Sequence, residues 1–205
     1  SDAYLLKIDL EGDTLWTRTF GGSGSDWIDA VCETSDGGYG GSGTTGSFNI
    51  TRDAYLLKVD SAGTLVWQDS YGSSENYRED FGAGVCALAN GGLAATGWRT
   101  DQDHGDPCQV GFLEVDAAGA QQSYRKYSDP YIEYGSSICA TADGGFLLCG
   151  ATKDSGTQRN DLFLVRRSAT NWVSSQTIGG PGSDWGCSVV GAGHGCYIIA
   201  GYTET

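Results

Sequence analysis

Asp2-Ala3-Tyr4-Leu5-Leu6-Lys7-Ile8-Asp9 returns almost unchanged as Asp53-Ala54-Tyr55-Leu56-Leu57-Lys58-Val59-Asp60. Looser copies follow as Val110-Gly111-Phe112-Leu113-Glu114-Val115-Asp116 and Asp161-Leu162-Phe163-Leu164-Val165-Arg166-Arg167. A second block, Val31-Cys32-Glu33-Thr34-Ser35-Asp36-Gly37-Gly38-Tyr39, matches 85–93 and 138–146. Its last copy, 189–197, is degenerate, with His194-Gly195-Cys196 where the others read Asp-Gly-Gly or Asn-Gly-Gly. Self-similarity at a fixed period marks a repeat architecture. The 205 residues divide into repeats of about 1–51, 52–107, 108–160 and 161–205, read as one domain.

Each repeat holds four strand candidates. The first, near 28–34, alternates small and apolar residues. Asp36-Gly37, Asn90-Gly91 and Asp143-Gly144 then supply the positive-φ residues of a tight hairpin. The second strand is seen best as Phe146-Leu147-Leu148-Cys149-Gly150, the third as 55–59 and the fourth as 65–71. Between the last two, Asp9, Asp60 and Asp116 stand where an Asx-type turn closes on a following Gly. No helical spacing is sustained, and 33 Gly residues suit turns rather than helices.

Four short antiparallel strands per repeat describe a β-propeller blade, which protects its edges by packing face to face around an axis. The chain opens on strands three and four of one unit (4–20) and closes on strands one and two of another (186–202). The expectation is an all-β, four-bladed β-propeller with four antiparallel strands per blade, closed by the N- and C-terminal half-blades sharing one blade. The competing reading is a stretch cut from a longer ring.

The cadence of 53–60, Gly-Thr-Leu-Val-Trp at 63–67, Phe-Gly-Gly-Ser-Gly-Ser-Asp-Trp at 20–27 and Thr-Ser-Asp-Gly-Gly-Tyr at 34–39 resembles the propeller repeats of large secreted and surface-anchored microbial proteins. That resemblance spans essentially the whole chain. It implies extracellular display with adhesive or scaffolding roles, and it brings no catalytic motif. The third copy departs from it, with Ser123 at the position of Trp16 and Trp67, and the fourth loses the Asp-x-x-Gly turn around Ser168. Trimmed or bent blades are expected there.

A formal net charge of −14 argues against nucleic acid and anionic lipid, whose affinity comes largely from Lys and Arg. No apolar run is long enough to span a bilayer. The start at Ser1 reads as a processed product or an excised piece of a larger polypeptide. Seven Cys without a CxxC pair, beside only two His, give little support to a zinc site. Cys139 and Cys149, on adjacent strands of one hairpin, are the expected local disulfide, and Asn49-Ile50-Thr51 is a candidate N-glycosylation sequon.

An acidic residue followed by an aromatic precedes the first strand of every repeat: Asp26-Trp27, Asp80-Phe81, Glu133-Tyr134 and Asp184-Trp185. Four carboxylates on one rim could hold a hard cation such as Ca²⁺. The other reading is that each carboxylate accepts backbone N–H groups from its loop while the aromatic fills the seam between blades. His104, in the acidic loop 99–106, is a weaker candidate for metal or acid–base chemistry. Tyr77, Tyr131, Trp98 and Trp172 fall in or beside variable segments and are candidates for glycan stacking or protein contact.

The functional expectation is a non-catalytic extracellular module for protein or glycan binding, adhesion or structural assembly, with no catalytic residue and no required cofactor. Its partners would be surface proteins, glycans or further copies of itself. The alternative is a glycan hydrolase or lyase using carboxylates at the mouth of a central channel.

Overall fold

Short alternating segments between glycine-bearing turns produce sixteen strands and, among the described residues, no helix. The computed structural model describes residues 1–72, 78–101, 109–127, 132–153, 159–170 and 173–204. The chain begins with a two-stranded antiparallel sheet, β1 (Ala3–Ile8) and β2 (Thr14–Phe20). Three four-stranded antiparallel meanders follow. The first is β3 (Asp26–Glu33), β4 (Tyr39–Thr45), β5 (Asp53–Val59) and β6 (Leu65–Tyr71). The second is β7 (Arg78–Ala87), β8 (Leu93–Asp101), β9 (Gln109–Val115) and β10 (Gln121–Tyr127). The third is β11 (Ile132–Ala140), β12 (Phe146–Lys153), β13 (Asn160–Arg167) and β14 (Val173–Ile178). A second two-stranded sheet, β15 (Asp184–Gly193) and β16 (Cys196–Thr203), ends the chain.

The turns are built as the residues dictate. The Asp36 carboxylate accepts from the Thr34 hydroxyl at 2.6 Å and the Gly38 N–H at 3.2 Å, and Gly37 sits at φ +79°. Asp143 repeats this with Thr141 and Gly145. Asp60 Oδ1 accepts from the N–H groups of Ala62 at 2.9 Å and Thr64 at 2.8 Å, and Asp9 and Asp116 do the same in their own turns. Every first strand carries a register shift at one position, between residues 28 and 30, 82 and 84, 135 and 137, and 186 and 188. A bulge repeated in this way is a feature of the unit.

Successive sheets pack face to face. Ala3, Leu5 and Phe20 meet Tyr55, Leu57 and Val59, while Leu56 points the other way into Val85, Leu93, Leu113 and Val115. A sheet covered on both faces needs no polar face, which is why β5 is buried almost throughout. At the inner strands the backbones nearly touch: a Cβ on Gly82 would lie 2.5 Å from the Gly43 carbonyl oxygen. At the outer rim, Trp16 Nε1 donates to Ser61 O at 3.2 Å and Trp67 Nε1 to Ala117 O at 2.9 Å, each tryptophan reaching the next sheet. Each indole lies over the turn glycine of that sheet, Gly63 or Gly119.

Two expectations need correction. The terminal half-sheets do not share one sheet, since β1 is hydrogen-bonded only to β2 and β16 only to β15. The strands beside Ser123 and Ser168 are also not trimmed, because β10 keeps 7 residues and β14 keeps 6. What changes is the clasp. Where Ser123 replaces the tryptophan, its hydroxyl donates to Glu114, and Glu114 forms an ion pair with Arg167 of the next sheet at 3.0 Å.

Candidate functional site

The repeated acids open the first strand of each sheet, so the fold sets them at one rim, and strand pairing sets a fixed residue opposite each. The pairs are Asp26 with Thr45, Asp80 with Arg99, Glu133 with Thr152 and Asp184 with Thr203. Asp26, Asp80 and Glu133 are buried. Asp26 accepts from the Gly22 N–H at 3.0 Å, from Ser47 Oγ at 2.6 Å and from Thr45 Oγ1. Burial works to raise its carboxyl pKa, but the bonds from Ser47, Thr45 and Gly22 outweigh it and the net displacement is downward. Asp184 is held down by Thr203 and by the Gly180 N–H, which donates at 2.8 Å.

Among the described residues, no group of three or more His, Cys, Asp or Glu is placed to hold a metal ion. Asp26 and Asp184 accept the Gly22 and Gly180 N–H groups of the loops that lead into their own sheets.

The second copy is different. Arg99 stands where the other repeats have threonine, and its Nε lies 3.4 Å from Asp80 Oδ1. Tyr124 donates to the same oxygen at 3.3 Å. Asp53, fully buried at the start of β5, reaches the same spot: a Cβ on Gly72 would lie 2.0 Å from Asp53 Oδ1 and 3.0 Å from Asp80 Oδ2. Burial raises the Asp53 carboxyl and the Asp80 charge adds to it, against opposing contributions from Asn49 and Arg99. Tyr71, Gly72, Asp80, Arg99, Gln121 and Tyr124 line a cavity of about 240 Å³ beside this cluster. The acid Asp80 was found from its recurrence. Arg99, Tyr124 and the approach of Asp53 were missed, although an arginine breaking a threonine position was the available signal.

The aromatics that follow the acids form a row across the sheets. Phe81 and Trp98 stack at 5.2 Å within one sheet, and Trp98 meets Tyr134 of the next edge-on at 6.1 Å. Tyr134 and Trp185 follow at 5.8 Å, then Trp185 and Tyr202 at 6.0 Å. Trp98 lies on β8, beside the segment that follows that strand, with one ring face packed on Phe81. Tyr77, His104, Tyr131 and Trp172 lie outside the described residues.

Asn49 is exposed, but the amide nitrogen that would carry a sugar donates to Asp53 and to Ser70 Oγ. The expected disulfide is absent: Cys139 and Cys149 are free thiols, and the register sets Cys149 opposite Ser137 and Cys139 opposite Leu147. Burial pushes the Cys149 thiol up to about 12 and Cys32 up to about 11, which keeps both protonated and unreactive at neutral pH. The chain matches no protein-family model, and a search of curated proteins finds no significant match.

Proposed function

We propose that the chain is a non-catalytic module of β-propeller blades that works by contact outside the cell, as a structural assembly and protein-binding unit. The observation that carries this reading is that the repeated acids are spent inside the fold, Asp26 on Gly22, Thr45 and Ser47 and Asp80 on Arg99 and Tyr124, with none paired across an open pocket as a catalytic carboxylate would be. The net charge of −14 and the repeat cadence fit display outside the cell, where charge keeps a repeat protein soluble.

The hydrolase reading needs two carboxylates facing a substrate. Asp53 and Asp80 come closest, yet both are buried and are held by Asn49, Arg99 and Tyr124. Asp26→Asn and Asp184→Asn test the point. The first should lower unfolding stability by about 1–3 kcal/mol through its lost loop bonds, and neither wild type nor variant should release sugar from a polysaccharide panel. Turnover by wild type that vanishes in folded variants would refute the reading.

A further inference from the structure

We infer that the second four-stranded sheet holds a binding site for a neutral sugar unit, in the cavity beside Asp80, Arg99 and Tyr124. Such a site goes beyond assembly, and the other repeats are its internal control. A residue repeated in every sheet answers a need of the sheet, whereas coordinated departures in one sheet mark a local task. Three departures meet here. Arg99 stands opposite Asp80, where the other sheets set Thr45, Thr152 and Thr203 opposite their acids. Tyr124 stands opposite Leu113, and Thr17, Gln68 and Ser175 hold the equivalent places elsewhere. Gly111 replaces a third-strand aromatic, which is Tyr4, Tyr55 or Phe163 in the other copies. The changes belong together. In the first full sheet Tyr55 is fully buried and donates to Gln68 at 2.5 Å. In the second the aromatic has changed strands: a Cβ on Gly111 would lie 3.5 Å from Tyr124 Oη, and Tyr124 donates instead to Asp80 at 3.3 Å.

Beside these residues lies the cavity of about 240 Å³, with exposed Gln121 in its lining. That is below the roughly 300–1,000 Å³ of sites for drug-sized ligands and suits one small ring. Tyr71, Asp80 and Tyr124 also line an apolar recess of about 30 Å³ with Ala95, Gly111 and Leu113, so polar groups converge beside an apolar wall. Two buried polar atoms are unspent at this place. Among the described residues, Asp53 Oδ1 and Arg99 Nε have no hydrogen-bond partner, although Asp53 is fully buried and Arg99 only 9% exposed. Arg99 lines the cavity, and Asp53 Oδ1 lies against Gly72 in its wall. Leaving such groups unpaired is costly, so an occupant that pairs them is favoured. It must accept from the guanidinium and donate to the carboxylate. A hydroxyl does both, and neighbouring hydroxyls of a sugar ring do so at two adjoining points. An anion would meet Asp53 and Asp80, and a cation would meet Arg99, which leaves a neutral polyhydroxyl ligand. Asp53 Oδ1 and Asp80 Oδ2 sit on one wall, 2.0 and 3.0 Å from the Cβ that Gly72 lacks. They therefore do not flank a glycosidic bond from two sides, and the site binds without cleaving.

Nitrogen-15 NMR of the full chain tests this, because the Arg99 Nε–H gives its own resonance at the proposed contact. The probes are the methyl glycosides of glucose, galactose, mannose, fucose and N-acetylglucosamine, with Ca²⁺ and inorganic phosphate as charged controls. At least one glycoside should move the Arg99 resonance saturably, with a Kd of about 1 mM or tighter. For a glycoside that binds, the free sugar and a disaccharide ending in it tell a free sugar from a glycan terminus, and either answer supports the site. Arg99→Lys keeps the charge beside Asp80 and loses the Nε–H, while Gln121→Leu copies Leu65 of the first full sheet at an exposed position. Followed at the Gly72 amide, the first should weaken binding at least about tenfold and the second about threefold. Gln121→Leu carries the comparison if Arg99→Lys fails to fold by near-UV circular dichroism. Glycosides that leave the Arg99 resonance in place well above about 1 mM overturn the inference, and so does a response to Ca²⁺ or phosphate and to no glycoside. Binding of unchanged strength in the folded variants overturns it as well. None of these results bears on sugar release or on the Asp26→Asn stability loss, so this site and the non-catalytic reading fail separately.

Discussion

Trp67→Ala probes how the sheets are held to one another. The indole lies in the outer seam, half-buried against the cluster of Leu56, Tyr71, Leu113 and Val115, and it donates to Ala117 of the next sheet at 2.9 Å. A tryptophan covering about 100 Å² of apolar surface is worth about 2.5 kcal/mol at about 25 cal/mol/Å². The lost hydrogen bond adds about 1 kcal/mol. The expected loss is therefore about 3–4 kcal/mol, while Trp67→Phe, which keeps most of the ring, should cost about 1–2 kcal/mol. Urea unfolding followed by circular dichroism reads both, and an unchanged m-value would locate the effect in the native state. A Gly119→Ala partner completes a double-mutant cycle, because its methyl would lie 2.9 Å from the indole and its φ is +86°. If Trp67→Ala stays within about 0.5 kcal/mol of wild type, the outer clasp does not hold the sheets together.

Gly82→Val should destabilise by about 2–3 kcal/mol or more, because its Cβ would meet the Gly43 carbonyl at 2.5 Å and Ser42 Oγ at 2.6 Å; thermal unfolding checks it. Arg99→Ala removes the cation beside two buried carboxylates and should cost about 3–5 kcal/mol at neutral pH. Adding Asp80→Asn should recover part of that loss, and no recovery would show that Arg99 acts through packing alone. Asp26, Asp60, Asp143 and Asp184 all have folded-state carboxyls held below their ordinary value. Their stabilisation is complete above the unfolded carboxylate value of about 4 and is lost as pH falls below it; Asp53, raised by burial, works against this trend. An acid titration of the unfolding midpoint should thus fall below about pH 4. Among the described thiols, Cys187 and Cys196 are exposed and should alkylate before Cys86 and Cys149, which mass mapping of a timed iodoacetamide reaction will order.

The order and position of the strands were readable from the chain itself, since period-two alternation and left-handed glycines act over a few residues. The turns at Asp36, Asp60, Asp116 and Asp143 form as their spacing requires, because an Asx turn needs only its own backbone. The loop contacts of Asp26 and Asp184 were legible for a related reason: a residue that recurs at one place in the repeat answers a local need of that place. The meeting of Asp53, Asp80 and Arg99 was less legible. Their junction joins two sheets, and only the packing of one sheet on the next brings it about.

Repetition also determined that the chain holds three whole sheets and two halves. It could not say whether the halves meet. That depends on the angle between neighbouring sheets, which glycine contact at the inner strands and tryptophan contact at the outer rim set and which accumulates from sheet to sheet. Cys139 and Cys149 followed the same rule at smaller scale: sequence put them on one hairpin, and the two-residue offset in register kept them apart.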